Sequence, residues 1–248
     1  MQKTDFPLIA FDTIDSTNNY AMQLIDADKA QPGMVITALN QTAGKGQRGK
    51  TWADVPGQSL LMTMIVAPRH HLAEQTVFNA AVACAIANVL QKLHKDWRLH
   101  IKWPNDIIIN DKKAAGILIE NVLRGSRWAY AVIGIGLNVR QTAFPGDLPN
   151  ATSLAVESGQ IMELQPILNE LQHAINAATC YPAAAGETMS MFNQYLYKRD
   201  QPQAFSTDGQ LWMGIVRQVW PDGTLEVEHG NGECIRYRHG QIVWEWNR

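Results

Sequence analysis

An α+β fold is what the sequence predicts, and three observations predict it. Residues 99–139 alternate apolar runs with turn pairs, as antiparallel strands joined by hairpins do. Val77 to Leu93 is apolar, rich in alanine and long enough for a core helix. Beyond Lys198–Gln203 the texture changes to short alternating runs, which read as a small antiparallel barrel. The expected division is therefore a main domain over residues 1–200 and a small β-barrel domain over 201–248.

The elements follow in order. Leu8–Phe11 is a short strand. Tyr20, Ala21, Met22, Leu24 and Ile25 recur at helical spacing, and Asp15 or Ser16 can cap that helix. The adjacent Ser16, Thr17 and Asn18 fit simple capping, or equally a polar ligand head at a helix N-terminus. Val35–Leu39 is a strand, and Leu60–Val66 suits one buried on both faces. Then come Leu99–Trp103, Ile107–Ile109, Ala114–Glu120 and Trp128–Val139, an antiparallel meander turned at Pro104–Asp106, Asn110-Asp111 and Arg124–Ser126. Pro166–Cys180 and Gly186–Tyr197 read as helices, the first with proline near its start. Four strands close the chain: Leu211–Trp220, Thr224–His229, Glu233–Tyr237 and Ile242–Trp246. Asp222-Gly223 is a strong hairpin signal between the first two.

Within this frame the stretch Gly44-Lys45-Gly46-Gln47-Arg48-Gly49-Lys50-Thr51-Trp52 concentrates glycine and positive charge. Such a loop can fold over an anion, or stand as a solvated basic turn. Its glycine spacing imitates both the dinucleotide fingerprint and the P-loop. Neither fits, because Asn40–Ala43 separates the loop from its strand and Trp-Ala-Asp-Val-Pro-Gly cannot open a helix. Lys102, between Ile101 and Trp103, and Lys113, beside Ala114-Ala115-Gly116, are either ligand-facing amines or snorkelling surface lysines. Gly134 and Gly136 inside one strand mark a bulge or a close backbone approach.

Composition narrows the classes. A net charge of −2 gives no overall pull towards nucleic acid or membrane. Three scattered cysteines and seven histidines without ligand spacing argue against a disulfide framework or zinc, and fit a reducing cytoplasm. The start carries no apolar leader, and Gln75–Gln91 reads as a buried helix rather than a membrane span. There is no nucleophile elbow.

Ser16-Thr17-Asn18, Gln41, the glycine loop, Lys102-Trp103-Pro104-Asn105-Asp106, Lys113-Ala114-Ala115-Gly116-Ile117-Leu118 and Gly134-Ile135-Gly136-Leu137-Asn138 together resemble the biotin protein ligases, in the same order along nearly the whole chain. The Lys-Trp-Pro-Asn-Asp block sets the chain apart from the related lipoate ligases. The resemblance implies a mixed or antiparallel central sheet with helices on one side and an SH3-like C-terminal barrel. It implies that biotin is activated by ATP to biotinyl-5'-AMP with release of pyrophosphate, then transferred to a lysine of a biotin carboxyl carrier domain. By the same resemblance Lys113, Lys45, Arg48 and Lys102 act in catalysis. Ser16, Thr17, Asn18, Gln41, Lys45, Gly46, Gln47, Lys113 and Gly116 bind biotin. Arg48, Lys50, Trp52, Asn105, Asp106, Gly134, Gly136 and Asn138 surround the nucleotide. ATP is expected to arrive with magnesium, Asp106 being one candidate contact, and no tightly held protein metal is expected.

The family's loop usually reads Gly-Arg-Gly-Arg-x-Gly-Arg. Here Lys45 and Lys50 replace two arginines and Gln47 a third, which predicts looser retention of the adenylate. Ser16 comes early, so no DNA-binding domain and no specific DNA binding are expected; a homodimer through the meander is compatible with the resemblance. The competing readings are a non-catalytic biotin- or nucleotide-binding module of the same fold, a lipoate ligase and a P-loop NTPase.

Overall fold

The computed structural model, which describes residues 6–146 and 148–246, begins with a β-α-β unit. Strands β1 (Leu8–Ile14) and β2 (Val35–Gln41) are parallel neighbours, and α1 (Thr17–Asp26) lies between them in sequence. Strand β3 (Ser59–Val66) pairs antiparallel with β2, and α2 (Gln75–Leu93) follows it. Strands β4 (Leu99–Lys102), β5 (Asp106–Ile109), β6 (Lys112–Arg124) and β7 (Arg127–Asn138) form the expected meander. The seven strands make one mixed sheet in the order β1-β2-β3-β7-β6-β5-β4. Residues 1–5, 147 and 247–248, which include the start read above as lacking a leader, lie outside the described residues.

The two faces of this sheet are covered differently, and strand periodicity decides which residue goes where. Leu60, Met62, Met64 and Val66 of β3 join the main core with α2 and with α4 (Leu164–Cys180), which follows the short α3 (Leu154–Ser158). Ile65 points the other way and packs with Ile36, Val132 and the Ala21/Ile25 stripe of α1. All eight residues of β3 are buried, as a strand covered on both faces requires. The long helices thus share one face while α1 sits on the other. There it leaves part of the sheet uncovered, and that part carries the site. Helix α2 is apolar and long enough to cross a membrane by composition, yet it is the central core helix here.

Helix α5 (Ala185–Tyr195) ends earlier than its sequence pattern suggests, because Leu196 turns extended to bridge Ile101 beside β4. A second antiparallel sheet follows, built from β8 (Pro202–Thr207), β9 (Gln210–Val219), β10 (Leu225–His229), β11 (Cys234–Tyr237) and β12 (Val243–Trp244). Its order, β11-β10-β9-β8-β12, brings the last strand back against the first. Neither β8 nor α3 stands out in the sequence. Pro-Gln-Ala-Phe-Ser-Thr lacks a clear apolar alternation, and α3 is only five residues long. Phe205, Val216, Leu225 and Val227 continue the main core into this sheet. Asn193 joins the two by donating to the Val219 carbonyl (3.0 Å) and accepting from its N–H (2.7 Å).

Candidate active site

Two connected hollows lie on the face that carries α1. The smaller, about 60 Å³, is lined by Ser16, Thr17, Asn18, Gln41 and the backbone of β6 and β7. The larger, about 630 Å³, opens between the glycine loop, the Trp103–Asp106 turn and the second sheet. Trp52, Asn105, Asp106 and Lys113 line both, so they form the passage from one to the other.

The small pocket is a network of buried polar groups. Ser16 takes the N-cap position of α1, but its side chain makes no capping bond. Gln41 does that work from the end of β2: its Oε1 accepts from Thr17 N–H (2.8 Å) and from the Thr17 hydroxyl (3.1 Å). The Ser16 hydroxyl is thereby left to the pocket it lines. Asn18 is gripped at both ends, accepting at Oδ1 from the Thr63 hydroxyl (2.6 Å) and donating from Nδ2 to Glu120 Oε2 (2.7 Å). Its amide lies so close to Gly134 that a Cβ there would overlap it. Thr63 and Glu120 were not singled out in the sequence. The available signal was period two: Thr63 is the polar break in an apolar strand, and Glu120 shares the Gly116 face of β6.

Gly136, two residues along β7, faces the Trp52 indole so closely that it too has no room for a Cβ. Gly116 leaves its added Cβ 3.0 Å from the same ring. Gly134 and Gly136 therefore line the small pocket and not the large one. The cause is that β7 presents them to α1 and Trp52, whose side chains fill the space the missing side chains leave. The Trp52 indole N–H is buried without a hydrogen-bond partner among the described residues.

The glycine loop is folded on itself. Gly46 N–H donates to Lys50 O (2.6 Å), Lys50 N–H to Gln47 O (3.1 Å) and Trp52 N–H to Gly44 O (3.0 Å). Arg48 (φ 55°) and Gly49 (φ 76°) both take left-handed backbone, which glycine accepts and arginine resists. These amides are not available to an anion, so the loop's positive character comes from its side chains. Lys45 pairs with Glu120 (3.6 Å) over the small pocket. Lys50 lines the large cavity. Arg48 reaches across to the second sheet, donating to His239 O (3.2 Å) and lying against Gly240.

Lys113 stands at the junction. Its Nζ pairs with Asp106 Oδ1 at 2.7 Å and lies 5.8 Å from the centre of the Trp52 ring. A register shift in the β5–β6 pairing between Ile107 and Ile108 offsets Lys113 towards Asp106 at the head of β5. Asn105 and Asn138 are partly committed to structure: Asn105 Nδ2 donates to Ile117 O (2.5 Å) and Asn138 Nδ2 to Thr152 O (2.9 Å). Among the described residues no cluster of three potential metal ligands occurs.

Lys102 lines the large cavity, and burial pulls its pKa down to about 8, with Asp106 opposing the change and Lys113 and Lys50 adding to it. A depressed lysine pKa means the charged form prevails below that value and is lost above it. An anion that meets Lys102 is expected to bind evenly below pH about 8 and more weakly above it. Lys102→Arg, which keeps its charge, should flatten the fall. A pH series of anion titrations, with inorganic pyrophosphate as the probe, reads this directly.

The family model described as "Biotin/lipoate A/B protein ligase family" matches residues 10–138, just over half of the chain. The chain belongs to this family. Its curated relatives fall on the biotin side of the family. A biotin--[acetyl-CoA-carboxylase] ligase from Mycobacterium tuberculosis is 32% identical over 225 residues, covering 85% of this chain and 79% of that protein. One from Paracoccus denitrificans is 34% identical over 166 residues, covering 64% of this chain and 68% of that protein. The bifunctional ligase/repressor BirA of Bacillus spizizenii is 34% identical over 167 residues, covering 66% of this chain and 51% of that protein. The chain thus spans about half the length of the two Bacillus ligase/repressors it matches. A solved structure of a biotin protein ligase from Aquifex aeolicus, in complex with biotin and ATP, superposes with a TM-score of 0.77 over 97% of this chain and 99% of that one. At 19% identity that match speaks to the shared fold.

Proposed function

We propose that the chain activates biotin with ATP to biotinyl-5'-AMP and transfers the biotinyl group to a lysine of a biotin carboxyl carrier domain. One observation carries this reading most: Lys113 stands where a polar small pocket meets a large cavity, so one amine can face a carboxylate from one side and a phosphate from the other. Ser16, Thr17 and Asn18 line the small pocket with hydroxyl and amide groups, a mix of donor and acceptor types that suits biotin's ureido group. On this reading Gly134 and Gly136 belong to the biotin end, and Trp52 is the wall shared with the nucleotide.

In the first step a biotin carboxylate oxygen bonds to the α-phosphorus of ATP and the bond to the β-phosphate oxygen breaks, releasing pyrophosphate. Two anions must approach each other, and Lys113, Lys102 and Lys50 offset the repulsion. In the second step the carrier lysine's neutral amine attacks the acyl carbon, AMP leaves, and the amine loses a proton. The mixed anhydride hydrolyses unless water is kept away, which is the task of the loop bearing Lys45 and Gln47. Magnesium enters with ATP as part of the substrate, and Asp106 is one candidate carboxylate for it.

Biotin-dependent ATP–pyrophosphate exchange tests the proposal. Exchange only when biotin is present supports it. Tight binding without exchange would leave a non-catalytic binding module, and phosphate release without biotin would point to an NTPase.

The uncharged Gln47 in the loop gives a separate expectation. Gln47→Arg should lower the escape of free biotinyl-adenylate by about two- to fivefold, the size of one exposed charge contact. Trapping of free adenylate during turnover measures it; equal escape from both proteins would show that the loop holds its ligand in another way.

A further inference from the structure

We infer that Trp244 of the second sheet and Trp246 just beyond it are positioning residues for Lys102, holding its ammonium at the wall of the large cavity where the nucleotide's phosphates would lie. The inference rests on the ligase reading above and adds to it a part played by the last strand.

The Lys102 Nζ lies 5.1 Å from the ring centre of Trp244 and 5.1 Å from that of Trp246. Among the described residues Lys102 has no carboxylate within ion-pair reach, because Asp106 is paired with Lys113. Its titratable neighbours are Asp106 on β5, Lys113 on β6, Lys50 in the glycine loop and, from the second sheet, His239, which burial pushes towards its neutral form. Lys113 and Lys50 repel a cation. A buried ammonium in such company tends to give up its proton. Two indole faces oppose that loss, since each attracts a cation through its ring quadrupole.

The rings are themselves held in place. Trp244 lies against Phe205 (5.4 Å between ring centres) and Tyr197 (5.9 Å), and its indole N–H donates to Gln203 Oε1 (3.4 Å). Trp246 rests on Tyr197 at 6.0 Å. Lys102 and Trp244 line the same cavity. One sheet therefore supplies the amine, and the other fixes where it sits and helps it stay charged.

The experiment measures biotin-dependent ATP–pyrophosphate exchange on the whole chain, with KM for ATP and for biotin read separately across neutral and mildly alkaline pH. Trp244→Leu and Trp246→Leu are each expected to raise KM for ATP about fivefold, as loss of one cation–π contact would, with KM for biotin unmoved. The alkaline climb of KM for ATP should move to lower pH. Trp244→Phe, which restores a ring face, should recover most of the loss. In a Lys102→Met background the leucine variants should add nothing further. Equal effects with and without Lys102, or an unchanged KM for ATP, would overturn the inference. Should Trp244→Leu prevent folding, Trp246→Leu decides, since Trp246 lies beyond β12. If the wild type shows no biotin-dependent exchange, the ligase reading fails. Calorimetric ATP binding by the same variants then judges the tryptophan pair by the same pattern.

Discussion

Replacing Lys113 with alanine is expected to lower biotin-dependent pyrophosphate exchange by about 10²–10³-fold, the cost of losing one preorganised donor aimed at developing charge. The substitution should act on kcat more than on KM for either substrate. On the proposed function the amine stands where the two reactants meet, and its attraction grows as charge builds on the α-phosphate. Its partner Asp106, at 2.7 Å, sharpens the expectation. With the amine gone, that carboxylate faces the passage alone and repels both anionic substrates. Lys113→Arg should recover only part of the rate, because a planar fork cannot occupy the position of a compact ammonium between Trp52 and Asp106. Single-turnover formation of labelled adenylate checks this, and undiminished formation in Lys113→Ala would put the reacting centre elsewhere.

Gly134→Ala carries the second large effect. A methyl group there overlaps the Asn18 amide. That amide has no easy retreat, because Thr63 holds its oxygen at 2.6 Å and Glu120 its nitrogen at 2.7 Å. Either Asn18 turns and breaks both bonds, or β7 shifts away from α1. Overpacking of this kind typically costs about 1–3 kcal/mol, so biotin affinity should fall by roughly one to two orders of magnitude if Asn18 absorbs the strain. Calorimetric biotin titration with a parallel thermal melt separates the outcomes. Weakened biotin binding at an unchanged melting point implicates Asn18. A lowered melting point with intact affinity would mean that the strand moved and Asn18 is not part of the pocket's recognition surface.

The meander and the core helix were legible because each is written in local pattern. A long alanine-rich apolar run predicts a buried helix, and apolar runs between turn pairs predict hairpins. The Asn110-Asp111 turn between β5 and β6 is one such case, with both residues at positive φ. What stayed hidden arises from pairing across long separations. Thr63 and Glu120 matter because β3 and β6 both lie beside β7 and turn the same face to α1. Whether Ser16 caps its helix was undecidable from residues 15–18 alone, since the answer is Gln41 arriving from the end of another strand. Lys102 and Trp244 are far apart in the chain, and the aromatic strand reads in isolation as plain barrel core. Gly134 and Gly136 read in the sequence as a bulge or a close approach, and the side chains that approach them are Asn18 and Trp52, from distant parts of the chain.

The internal bonding of the glycine loop has a mechanical consequence. Gly46, Lys50 and Trp52 satisfy their amides within the segment, so it resembles a small stiff flap more than a slack tether. Such a flap can swing about its two roots without dissolving and re-forming its backbone at every turnover. Its amide protons should then exchange slowly with solvent even while substrates come and go.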